Sequence, residues 1–185
     1  MAAPKPLFVG MKYIPAYNGD EGLVMYFPEA ATQTFVVGDL VYLNAGLVTI
    51  ATTDGSLAGA VLGMAESNGV NAGVAATHYA RVRVFRPGDL FSIRLPAAVS
   101  YAYGTHLGNS YGIRQNVAGD WYLDTTNTTQ KRAQVVAPLE MSPDNAAITP
   151  FSGVGGDMLP SATIGGPVIV KILAHTTYIW YAQAT

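Results

Sequence analysis

Three times the chain sets Gly-Asp directly before a strand-prone run: Gly38-Asp39 before Leu40 to Leu43, Gly88-Asp89 before Leu90 to Leu95, and Gly119-Asp120 before Trp121 to Leu123. Each reads as a turn handing over to a strand. Glycine relieves the turn backbone, aspartate hydrogen-bonds it, and the β-branched and aromatic residues that follow prefer a pleated, half-buried surface. In Arg81-Val82-Arg83-Val84 the valines face one way and the arginines the other. Phe91, Ile93 and Leu95 likewise oppose Leu90, Ser92 and Arg94. Helix-period stretches are absent, so the expected fold is all-β. It is read as a small antiparallel β-barrel or sandwich with an extended N-terminal arm and a long C-terminal loop region.

Breakers divide the chain. Residues 1–30 carry Pro4, Pro6, Pro15 and Pro28 among aromatic and apolar side chains, and prolines at that density deny ladder donors. An extended arm is expected there, with one strand at Gly22 to Phe27. Residues 31–95 read as the barrel core. Phe35 to Val37, Leu40 to Leu43, Leu47 to Ala51 and Ala58 to Met64 form a meander, Glu66 to His78 a loop or poor helix, and Pro87-Gly88-Asp89 a hairpin turn. Residues 96–185 read as a further β region on the same core. Its strand candidates are Tyr101 to Leu107, Tyr111 to Gln115, Trp121 to Asp124, Ala133 to Leu139, Val168 to Leu173 and Thr177 to Tyr181. Within it, 142–166 holds too many prolines and glycines for a regular element, and loops of that length are usually functional or disordered.

Composition narrows the function. Of 185 residues only 12% are Asp, Glu, Lys or Arg, against about 25% in ordinary soluble domains. A surface so short of charge suits packing against protein. The formal net charge of −2 supplies no field for nucleic acid or an acidic membrane. Cysteine is absent, which removes disulfides, thiolate nucleophiles and Cys-ligated metal. No segment approaches the roughly 20 apolar residues of a membrane span, and a cleaved export signal is not expected in Met1 to Gly10. His78, His106 and His175 lack the spacings that gather metal ligands, so neither metal nor cofactor is expected.

Two motifs invite chemistry. Gly108-Asn109-Ser110-Tyr111-Gly112 matches the Gly-x-Ser-x-Gly elbow of α/β-hydrolases, which needs a strand before the serine and a helix after it. Here Ile113, Arg114 and Gln115 follow and read as strand, so a hairpin turn is the favoured reading, with a serine hydrolase centred on Ser110 as the enzyme alternative. Asn127-Thr128-Thr129 is a formal glycosylation sequon and reads as a polar turn. Arg81, Arg83, Arg86 and Arg94 lie close in sequence, and on adjacent strands they would form one basic face able to hold the carboxylates of a partner protein. The competing reading is a solvated strand face with local pairing to Asp89.

The run from Phe35 to Leu95 resembles the small β-barrel proteins that decorate the heads of tailed bacteriophages. The resemblance rests on Gly38-Asp39-Leu40-Val41-Tyr42-Leu43, on Gly46-Leu47-Val48-Thr49-Ile50-Ala51, on Gly63-Met64-Ala65, and on Arg81-Val82-Arg83-Val84 with Gly88-Asp89-Leu90-Phe91. What it implies is a non-enzymatic capsid cement protein on the outer surface of the virion, bridging neighbouring major capsid protein subunits and assembling with itself as a trimer or dimer. Apolar arms that order on docking fit that role. The residues expected at partner contacts are Phe8, Tyr13, Tyr17, Arg81, Arg83, Arg86, Arg94 and Phe151. The alternative is a tail or fibre accessory protein that binds host glycan through Trp121, Tyr122, Tyr101 and Tyr103 in one open groove.

Overall fold

The structure is a computed structural model that describes residues 12–14, 22–51, 55–56, 60–96, 99, 101–138 and 166–174. The fold is all-β, with one short helical turn. Strands β1 (Lys12–Ile14), β2 (Leu23–Pro28), β3 (Leu40–Asn44), β4 (Leu47–Ile50), β5 (Gly55–Ser56), β6 (Gly63–Ala65) and β7 (Tyr79–Val84) come first. Then follow β8 (Leu90–Arg94), helix α1 (Tyr103–His106), β9 (Ser110–Gln115), β10 (Trp121–Asp124), β11 (Ala133–Pro138) and β12 (Pro167–Ile172).

The Gly-Asp turns behave as their chemistry requires. Gly38, Gly88 and Gly119 adopt φ of 93°, 91° and 87°, a region closed to most side chains. In the first two turns the aspartate carboxylate accepts the N–H three residues back, Val36 to Asp39 at 2.8 Å and Arg86 to Asp89 at 3.1 Å. In the third, Asn116 takes that role, accepting the Asp120 N–H at 2.8 Å.

Five strands pair in the order β2-β7-β6-β3-β4, and a parallel bridge from Glu29 to Val48 brings β4 back to β2. The second sheet repeats that ring. Its strands run β8-β12-β11-β9-β10, and a parallel pairing of Tyr122 with Arg94 returns β10 to β8. First strand to fifth, fifth to fourth, fourth to second, second to third, third back to first in parallel: both rings have the same connectivity.

Individual backbone bonds repeat as well. Gly38 N–H reaches Ala65 O at 2.9 Å, and Gly108 N–H reaches Val135 O at 2.9 Å. Ala65 N–H to Asp39 O (2.8 Å) matches Val135 N–H to Asn109 O (3.0 Å). Leu62 N–H to Val41 O (2.9 Å) matches Arg132 N–H to Tyr111 O (2.7 Å), and Glu29 N–H to His78 O matches Leu95 N–H to Gly166 O, both at 2.9 Å. Inward-facing Ala80, Val82 and Val84 stand where the second ring has Val168, Val170 and Ile172, and all six are buried. Among the described residues, one small barrel is built twice.

The barrels are fused through their cores. Phe35, Val41, Val48, Leu62, Ala80, Val82 and Val84 fill the first. Leu40, Val61, Met64 and Phe85 leave the first barrel's interior to join Phe91, Ile93, Ile113, Trp121, Leu123, Val168 and Val170 in the second cluster. Burial of each such side chain contributes about 1.5–3 kcal/mol. The Phe85 and Phe91 rings meet across the seam at 4.5 Å between centroids.

Several expectations change. Pro87-Gly88-Asp89 is a turn but not a hairpin, because among the described strands β7 pairs with β2 and β6 and not with β8, which opens the second barrel. Apolar alternation on both flanks made the two strands look like neighbours. Tyr101 to Leu107, expected as a strand, contains α1, held by His106 N–H to Ala102 O at 2.8 Å and by Ala102 N–H to His106 Nδ1 at 2.9 Å. Phe35 to Val37 is not a strand, although Phe35 is fully buried. The proposed strand at Thr177 to Tyr181 and residues 142–165 of the long loop lie outside the described residues.

Candidate interaction surface

Because Ala80, Val82 and Val84 point into the first core, the alternate residues of β7 and their partners on β2 face outward. That face carries Tyr26 opposite Arg81, Pro28 opposite Tyr79, and Val24 opposite Arg83. Tyr26 is 67% exposed and Tyr79 62%. Glu66, on the loop after β6, takes the Arg83 Nε–H on one carboxylate oxygen and lies 4.0 Å from the Arg81 guanidinium with the other. Arg83 is thereby tucked in, while Arg81 keeps about half its side chain in water. The result is two exposed phenol rings around one accessible guanidinium on a rigid sheet, the residue types that dominate binding energy at protein interfaces.

The other sequence candidates are dispersed. Arg86 pairs with Asp89, Nη2 to Oδ1 at 3.1 Å, at the seam. Arg94 is buried at the end of β8, opposite Pro167 on β12 and Tyr122 on β10. The four arginines therefore share no face, since β7 and β8 belong to separate sheets. Tyr13 lies in β1, in register with Phe91 of β8. Phe8, Tyr17 and Phe151 lie outside the described residues. Burial draws the guanidinium of Arg132 below its ordinary pKa; it occupies the position that Leu62 holds in the first barrel.

Ser110 opens β9, which continues unbroken to Gln115. A strand therefore stands where the nucleophile elbow requires a helix. Gly108-Asn109 is the second barrel's counterpart of Gly38-Asp39, with Gly108 at φ 75°. Gly112 is needed for closeness, since a Cβ there would stand 2.9 Å from Asn127 Nδ2. Gly-x-Ser-x-Gly thus arises here from a strand-opening turn followed by a tight packing point. Asn127 caps a polar turn, its Oδ1 accepting the Gln130 N–H at 2.9 Å. Among the described residues no group of three His, Asp or Glu side chains is placed to hold a metal ion.

Trp121 is 1% exposed, with its indole N–H on Asp39. It contributes nothing to an open aromatic groove. Tyr26 and Tyr79 were not singled out from sequence. The available signal was strand alternation: once Val82 is placed inside, its flanking Arg81 and Arg83 and their cross-strand partners must be outside.

Fold and surface together define a tandem five-stranded β-barrel protein with an aromatic and cationic outer face. Comparison with known proteins finds no matching family, curated relative or solved structure.

Proposed function

We propose that this chain is a non-enzymatic structural protein of a tailed-phage virion that sits on the outer surface of the head and bridges neighbouring major capsid protein subunits. The observation that carries the reading is the outer face of β2 and β7, where Tyr26, Tyr79 and Arg81 stand exposed on a paired antiparallel ladder. Rigid aromatic anchors of this kind lose little entropy on docking. The likeness of Phe35 to Leu95 to head-decoration barrels points the same way. So does the low charge, since many copies crowded on one shell would otherwise repel.

Addition of purified protein to heads assembled without it tests the reading. Saturable binding to the exterior, seen by cryo-electron microscopy, and a raised temperature of DNA release are expected. Heads that bind none of it, or binding with no change in release temperature, would overturn the cement role.

A further inference from the structure

The two barrels differ at one equivalent edge. In the second, Ile172 N–H bonds Asp89 O at 3.2 Å and Leu95 N–H bonds Gly166 O at 2.9 Å, so Leu90, Ser92 and Arg94 turn their backbone groups away from β12. Tyr122 meets Arg94, and β1 lies antiparallel along the rest, Ile14 opposite Leu90 and Lys12 opposite Ser92. With that strand in place Phe91 is 0% exposed.

In the first barrel Glu66 N–H bonds Arg81 O at 2.8 Å and Phe85 N–H bonds Leu62 O at 3.0 Å, so Ala80, Val82 and Val84 are the residues bonded to β2. Their partners are Phe27, Met25 and Leu23. The N–H and C=O groups of Val24 and Tyr26, the counterparts of Leu90 and Ser92, therefore point away from β7, and among the described residues no strand pairs with them. Met25, the counterpart of Phe91, is 43% exposed although it faces the barrel interior, and Leu23 beside it is 39% exposed. One barrel has its edge filled; the other, among the described residues, has the same edge open over apolar side chains.

We propose that the open edge of β2 pairs with β2 of a second copy, forming an isologous dimer. Two copies related by a twofold axis at Met25 set Val24 opposite Tyr26 of the other copy, so the outward N–H and C=O of both residues are satisfied in both chains. Neither chain has to release β1 from its second barrel. Twofold isologous contacts are the commonest way identical chains associate, and an unpaired strand edge is a ready template for one. The two outer faces then join, placing two Tyr26, Tyr79 and Arg81 sets on one continuous sheet. The inference stands on the barrel repeat and does not need the capsid reading.

The absence of native cysteine gives a clean test. Sedimentation equilibrium should give twice the 19.5 kDa chain mass. Val24→Pro removes an outward donor and leaves the β7 ladder whole. It should restore the monomer, with an unchanged circular dichroism spectrum. Met25→Cys sits where the two copies' Cα atoms come closest, so mild oxidation should give a disulfide dimer at least tenfold faster than for Thr128→Cys on the exposed far turn. A wild-type monomer at every concentration, an oligomer that survives Val24→Pro, or equal cross-linking of the two cysteine variants would each overturn the proposal. The cross-linking rates decide it even if the proline variant unfolds.

Discussion

The indole Nε1 of Trp121 donates to Oδ1 of Asp39 at 2.9 Å, joining the third strand of the second barrel to the turn that opens the second strand of the first. Gln115 Nε2 donates to the same oxygen at 3.2 Å, while the other carboxylate oxygen accepts the Val36 N–H. All three side chains are buried. One aspartate thus ends a turn, orients a tryptophan and ties two barrels.

Asp39→Ala leaves two buried donors without their acceptor and loosens the turn. Since each buried group left unsatisfied costs about 1–3 kcal/mol, the variant should lose about 3 kcal/mol of unfolding free energy in urea. Asp39→Asn retains one acceptor and should lose less. Because Leu40, Val61, Met64 and Phe85 of the first barrel pack in the core of the second, tryptophan fluorescence and far-ultraviolet circular dichroism should follow a single coincident transition in both variants.

Two glycines should respond in an order opposite to the one their φ angles imply. Gly46 has φ 82° with open space around a would-be Cβ, so Gly46→Ala should cost about 1–2 kcal/mol. At Gly63 the Cβ would fall 2.0 Å from the Arg83 carbonyl oxygen, inside the β6–β7 ladder. Gly63→Ala should cost at least about 3 kcal/mol or abolish soluble expression, as read by denaturant unfolding of both variants.

Glu29, directly after β2, is fully buried where the second barrel has Leu95. Its Oε2 accepts the N–H groups of Val70 and Asn71, both at 3.0 Å, and its carbonyl accepts the Ala76 N–H at 2.9 Å. Glu29→Leu, which copies the other barrel, removes the anchor and should raise hydrogen exchange across 69–76. Strands β2 and β7 should keep their protection, because their ladder does not pass through the carboxylate.

Tyr26→Ala and Tyr79→Ala remove side chains that stand mostly in water. Stability should stay within about 0.5 kcal/mol of the parent. If the outer face is the capsid contact, head binding measured by co-sedimentation should weaken about tenfold or more for each.

Much of the fold was readable because local chemistry determined it. Gly38, Gly88 and Gly119 each mark a strand start, and the inward valines of β7 follow from alternation alone. What could not be read was pairing. Arg81-Val82-Arg83-Val84 and Leu90 to Leu95 have the texture of one hairpin, yet the intervening turn crosses from one ring to the next, and only long-range partners such as Met25 and Val170 determine which ring each strand enters. The repeat was hidden for a related reason. Its equivalent turns read Gly38-Asp39 and Gly108-Asn109, with φ and hydrogen bonds preserved while the side chains changed, whereas the three literal Gly-Asp pairs occupy non-equivalent places. The exposed face is half legible: the arginines stand out and local pairing to Asp89 is met by Arg86, but the carboxylate that holds Arg81 and Arg83 is Glu66, which sequence order alone does not bring to β7.

The Phe85 ring packs tilted against Phe91 across a link so short that the last strand of one ring runs almost directly into the first strand of the other. A hinge would need slack, and there is none. Tension applied to either half is therefore carried into the other as through a single strut, which would suit the bridging role proposed for it.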